Sequence, residues 1–152
     1  MSENVKTSTP ETEFGAVFAA YPGIRLDQVN APYYAGLLER RLLAGHCDEC
    51  LAWHLPLRSR CPFCWSPADA PREVTGRGHV HVLTLLHQGP PGVPYSPPWP
   101  LAAVELAEQP GLRIAAPLVD TPPEQQRIGQ PVELTWIERE GAPWPAFRAV
   151  AR

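Results

Sequence analysis

Residues 47–64 read CDECLAWHLPLRSRCPFC and hold every cysteine of the 152-residue chain. Two Cys-x-x-Cys pairs, Cys47/Cys50 and Cys61/Cys64, stand ten residues apart. Two chemistries compete for such a pattern: disulfide or redox work, and one tetrahedral metal site. A redox Cys-x-x-Cys normally occurs once and opens a helix, whereas here Pro62 and the neighbouring prolines oppose a helix. A Cys-x-x-Cys turn offers two thiolates at once, and two turns joined by a hairpin complete a closed zinc site. The spacer suits a short ribbon, with Leu51 to Leu55 as one strand and a turn near Leu57 to Arg60. Four thiolates leave no open coordination position, so the zinc expected on Cys47, Cys50, Cys61 and Cys64 is structural. His46 and His54 flank the cysteines and are expected to face solvent or to stand behind the ligands.

The surroundings agree with a reduced, metal-binding site. The N-terminus, MSENVKTSTPETEF, lacks a basic flank followed by an apolar core, and no 18 apolar residues run together. A cytoplasmic protein is expected, where thiols stay reduced. The formal charge of −3 argues against a dedicated nucleic-acid binder, which needs a basic surplus against phosphates. Lys6 is the single lysine among 13 basic residues, and with 20 prolines this bias points to a GC-rich genome.

Working outward, residues 1–26 read as a polar tail with a short helix. Its apolar stripe, Phe14, Val17, Phe18 and Tyr21, is expected to pack on the chain's own domain. Residues 27–70 read as a second helix plus the ribbon. Asn30 is the expected N-cap, Pro32 lies in the first turn, and Tyr34, Leu37, Leu38 and Leu42 form the apolar face. Arg40 and Arg41 suit the last turn, and Gly45 is expected to close it.

Residues 71–152 change period. Segments 79–88, 101–108, 112–120, 131–140 and 143–152 are five candidate strands, with alternation clearest at Val132, Leu134 and Trp136. Six prolines between Pro90 and Pro100 exclude helix or central strand from the first connection. Five short strands without a long helix predict a mainly β protein with a five-stranded barrel. An OB-fold leads, and an SH3-like barrel is the alternative that pattern leaves open.

No Ser/His/Asp arrangement, Gly-rich phosphate loop or helical carboxylate pair appears. His79, His81 and His87 are the nearest to a catalytic cluster; strand alternation would place them on one face with Leu83 and Leu85. They are expected to have no chemical role, because a catalytic histidine needs a positioned partner.

The order helix, four-cysteine ribbon, barrel, with the stretches NAPYYAGLLERRLLAGHCDEC, CPFCW, VTGRGHVHVLTLLHQ, PPGVPYSPPWPLAAVELAE, DTPPEQQRIGQPVELTW and PAFRAV, resembles the acyl-CoA-associated zinc-ribbon/OB-fold proteins. That family is labelled domain of unknown function 35, and the likeness runs from about residue 27 to the C-terminus. The resemblance implies a small non-catalytic subunit in a hetro-oligomer with a thiolase-like catalytic protein, supporting thiolysis, acyl transfer or retro-aldol cleavage of acyl-CoA, steroid side-chain thioesters included. Against that role, Arg58, Arg60 and Arg77 are candidates to meet coenzyme A or the partner. Tyr95 and Trp99, on the proline-rich loop from Gln88 to Pro100, are candidate partner anchors. A single-stranded nucleic-acid module is the runner-up. It would need a basic track with stacking aromatics, where the strands from 101 to 141 run acidic.

Overall fold

The computed structural model describes residues 14–88 and 99–150. Helix α1 (Gly15–Ala20) and helix α2 (Ala31–Leu38) precede a small sheet of β1 (Leu43–His46), β2 (Trp53–His54) and β3 (Arg72–Glu73), in the order β2-β1-β3. The barrel strands follow: β4 (Arg77–Leu86), β5 (Trp99–Leu106), β6 (Arg113–Pro117), β7 (Pro131–Arg139) and β8 (Ala142–Ala149).

Each barrel strand falls within a few residues of its expected place, because apolar alternation fixes which face must be buried. On β5, Ala102, Val104 and Leu106 point inward and are buried. The neighbours follow the order β6-β5-β4-β7-β8, every pair antiparallel. Closure comes from the chain just past β6. Leu118 bridges Phe147 in parallel, and the Val119 N–H donates to the Phe147 carbonyl at 2.8 Å. This nearly closed five-stranded barrel is an OB-fold rather than the SH3-like alternative. One difference concerns Trp99 and Pro100, which open β5 opposite Leu86 and Leu85 instead of ending the loop. Proline is tolerated there because it stands at the start of the strand.

The core joins the helices to the barrel. Val17 and Tyr21 from the α1 stripe are buried in the same cluster as Leu37, Val80, Val104, Val132 and Phe147. The Tyr21 hydroxyl donates to the Pro143 carbonyl at 2.8 Å, and its ring meets Trp144 edge-on at 5.4 Å. The stripe thus packs on its own domain, as expected.

Helix α2 is shorter than expected. It stops at Leu38, and Leu42 and Gly45 lie outside it. The Arg41 N–H bonds the Gly36 carbonyl at 2.8 Å and the Arg40 N–H bonds that of Leu37 at 2.9 Å, with Arg40 at φ 57°. That is a Schellman cap with arginine where glycine is usual, so the usual stop signal is missing. Asn30 makes no side-chain cap; its amide instead receives the Asp27 N–H and donates to the Arg25 carbonyl. Gly45 has a packing duty on β1: a Cβ there would stand 2.1 Å from the His54 ring.

Gln109, in the turn after β5, clasps the ribbon to the barrel. Its side-chain amide accepts from the Trp53 N–H at 2.9 Å and donates to the Trp53 carbonyl at 3.1 Å, as a neighbouring strand would.

Candidate metal centre

The four sulfurs are supplied by two copies of one local structure. In the first, the Leu51 N–H donates to the Cys47 carbonyl at 2.8 Å and the Cys47 N–H to that of Ala52 at 2.9 Å. In the second, Trp65 donates to Cys61 and Cys61 to Ser66, both at 3.0 Å. Each turn reverses through a left-handed residue directly after its second cysteine, Leu51 at φ 61° and Trp65 at φ 64°. That conformation costs a non-glycine residue about 1–3 kcal/mol.

The turns bring all four Sγ atoms within 4.8 Å of one another, with Cys47 and Cys64 at 3.6 Å and Cys50 and Cys61 at 3.6 Å. A tetrahedron with Zn–S bonds of about 2.3 Å has edges of roughly 3.8 Å, so the cluster fits zinc with little adjustment. The cysteines are free, and two of them, Cys47 and Cys61, are buried. Their acidities diverge. The Ser66 hydroxyl, 3.1 Å from Cys47 Sγ, leads the interactions that draw Cys47 down to about 6. For Cys50 the Ala52 N–H pulls down, but partial desolvation of its sulfur and the neighbouring sulfurs outweigh it and push the thiol up to about 12. Four crowded sulfurs cannot all ionise alone; a shared divalent cation removes that conflict. Ser66 lies 3.2 Å from Cys64 Sγ as well. Sequence reasoning missed it, although its place two residues after the last ligand was a usable signal.

His46 and His54 are not solvent-facing: each is only 8% exposed. The His46 ring packs edge-on against Trp53 at 4.7 Å, and His54 sits over Gly45, its Nδ1 3.2 Å from the Pro56 carbonyl. Neither belongs to the sulfur cluster. Asp48 and Asp69 brace the first turn: Asp69 accepts the Asp48 N–H at 2.8 Å, and Arg72 pairs with the Asp48 carboxylate.

The other expected residues scatter. Arg58 and Arg60 are exposed on the ribbon, where Arg60 donates to the Trp65 carbonyl at 3.0 Å. Arg77 opens β4, also exposed. Among the described residues Arg58 and Arg77 form no ion pair. Tyr95 lies outside the described residues, and Trp99 helps line a cavity with Tyr33, Tyr34, Leu101 and Trp144.

The histidines do not share one face with Leu83 and Leu85. A bulge between Val80 and Val82 shifts the register, so His79 stands opposite Glu105 while Leu83 stands opposite the buried Ala102. One extra residue flips every later side chain. Glu105 collects Arg113 at 3.0 Å, His79 at 3.9 Å and His81 at 4.0 Å. The hydrogen bond from Arg113 is the main reason its carboxyl is held below the usual range. His87 lies past the end of β4, exposed.

Family models describe both halves of this arrangement. The ChsH2 rubredoxin-like zinc ribbon domain matches residues 35–70, and the ChsH2 C-terminal OB-fold domain matches residues 71–136. A DUF35 domain-containing scaffold protein of Methanocaldococcus jannaschii is 33% identical over 76% of this chain and 83% of its own length. The chain belongs to the DUF35 family. A solved member, described as the Ltp2-ChsH2(DUF35) aldolase, superposes with TM-score 0.72 at 31% identity, over 83% of this chain and 98% of that one. A larger relative, a probable enoyl-CoA hydratase alpha subunit of Thermomonospora curvata, is 32% identical over 80% of this chain, which spans only 37% of its length. In this DUF35 protein, then, the four clustered cysteines lie within a zinc ribbon domain and are placed to hold a structural zinc. Among the described residues no helix is long and apolar enough to cross a membrane.

Proposed function

We propose that this chain is a non-catalytic, zinc-containing scaffold subunit that binds a thiolase-like catalytic protein and supports its acyl-CoA chemistry. The observation that carries the reading is the match, over nearly the whole of that chain, to a DUF35 protein described as part of an aldolase. The closed four-sulfur centre supports it, because a zinc held by four thiolates has no free position for water or substrate. So does the Glu105 cluster, where His79 and His81 meet a carboxylate already engaged by Arg113. The reaction served is thiolysis, acyl transfer or retro-aldol cleavage, with steroid side-chain thioesters among the substrates. Arg58, Arg60 and Arg77 are the groups proposed to meet the coenzyme A phosphates, and Tyr95 and Trp99 to anchor the partner.

Co-expression with a thiolase-like protein from the same genome, followed by size-exclusion chromatography and an acyl-CoA cleavage assay, tests this. One co-eluting peak is expected, with cleavage dependent on both chains. Replacing Arg58 and Arg77 by alanine should raise KM for the thioester, more at low salt than at high. Two separate peaks, with the catalytic protein fully active alone, would contradict the proposal.

A further inference from the structure

The two cysteine turns are built alike but not equipped alike. The Ala52 carbonyl accepts the Cys47 N–H at 2.9 Å, and in the second turn the Ser66 carbonyl accepts the Cys61 N–H at 3.0 Å. Residues 52 and 66 therefore hold the same place, each two residues after the second cysteine of its turn. The sulfurs obey the same correspondence: Cys47 lies 3.6 Å from Cys64, and Cys50 lies 3.6 Å from Cys61. A hydroxyl serves the first of these pairs and not the second. Ser66 Oγ stands 3.1 Å from Cys47 Sγ and 3.2 Å from Cys64 Sγ. Alanine at 52 has no such group to offer. The other nitrogen and oxygen donors to ligand sulfurs, among the described residues, are backbone N–H groups such as that of Phe63, 3.4 Å from Cys61 Sγ.

Metal binding fixes the direction of the hydroxyl bond. A serine hydroxyl carries one proton, and a thiolate carries none, so in the loaded ribbon Ser66 can only donate. Four thiolates around one divalent cation leave an excess of about two negative charges, and hydrogen bonds to a charged acceptor are the strong ones. Cys47 is buried, so water is poorly placed to supply such a bond, and it belongs to the opposite turn from Ser66. The serine is itself held by its carbonyl bond to Cys61, which limits where its hydroxyl can go. We infer that Ser66 is a positioning residue of the metal centre. Its hydroxyl donates into the Cys47–Cys64 pair, offsets thiolate charge there, ties the two turns together beside the ion and so raises metal affinity. This rests on the zinc reading but is independent of the catalytic partner proposed above.

The likeness of the turns supplies a clean variant. Ser66→Ala gives the second turn the residue that the first already carries, so it should fold and melt with zinc in excess as wild type does. Its zinc affinity, read by competition with a chromophoric chelator, should fall by about ten-fold, the scale for a lost partner of a metal ligand. In the cobalt-loaded chain the thiolate-to-metal charge-transfer band should move to lower energy, because a sulfur without its hydrogen bond is easier to ionise. Ser66→Thr keeps the hydroxyl and should restore both readouts. Moving the hydroxyl to the other turn, by Ala52→Ser in the Ser66→Ala chain, should recover part of the affinity through the Cys50–Cys61 pair. Unchanged affinity and spectrum in Ser66→Ala would overturn the assignment. Equal losses in Ser66→Ala and Ser66→Thr, with the band unmoved, would overturn it in favour of a packing role. Wild type that takes up neither zinc nor cobalt would overturn the metal centre and this role together.

Discussion

The ribbon and the barrel are held together by different physics. In the barrel, Val80, Val104, Leu106, Val132 and Phe147 are essentially removed from solvent, each contributing about 1.5–3 kcal/mol through apolar burial. Between residues 47 and 70 the buried side chains are Cys47, His54 and Cys61, and two of these are metal ligands. A segment so poor in apolar burial cannot offset its ordering entropy alone. The barrel's order belongs to the polypeptide, while the ribbon's order belongs to the polypeptide plus the ion its cysteines are placed to hold. The side-chain clasp of Gln109 on Trp53 joins the two, but two hydrogen bonds do not replace a core.

The perturbation with the largest expected effect is Cys61→Ser. A structural zinc in a small ribbon is worth on the order of 10 kcal/mol, so the variant should lose its metal, and elemental analysis should fall from about one zinc per chain toward none. It should express as insoluble or ribbon-disordered protein. Phe147→Ala strikes the other half. Removing a fully buried ring costs about 3–5 kcal/mol, visible as a lower urea midpoint, while zinc content in the remaining folded protein stays the same. Gly45→Ala comes next. Its Cβ would collide with the His54 ring, and the forced repacking should cost about 1–3 kcal/mol, again measured by denaturant titration.

The smallest expected effect concerns Glu105 and is pH-dependent. Its folded carboxyl titrates below its ordinary value because Arg113 binds the charged form. Its contribution is therefore present above the unfolded pKa and is lost as pH falls through the folded one. Glu105→Gln should melt slightly below wild type at pH 7, with the gap closing below about pH 4. Thermal melts across that range check the sign; a gap that widens on acidification would contradict the assignment.

The same contrast explains what was legible in the sequence. Cysteine spacing specifies a tetrahedral site almost without context, and Val132, Leu134 and Trp136 display the alternation of a half-buried strand. Three features were hidden. The stop of α2 is carried by Arg40 in a left-handed position that usually announces itself with glycine. The bulge at His81 leaves no mark in hydrophobic pattern, yet it decides which face the later residues of β4 take. Gly45 looked like a helix terminator because its partner, His54, is nine residues away across a sheet that only the folded ribbon creates. Each is a non-local or conformational fact rather than a property of residue type.

Hydrogen exchange read residue by residue, before and after zinc is stripped by a chelator, tests the difference between the two halves most directly. Amides of β1, β2 and the two cysteine turns are expected to lose their protection on metal removal, while those of β5 and β7 keep theirs. Retained protection in the turns, or equal loss in the barrel strands, would contradict it.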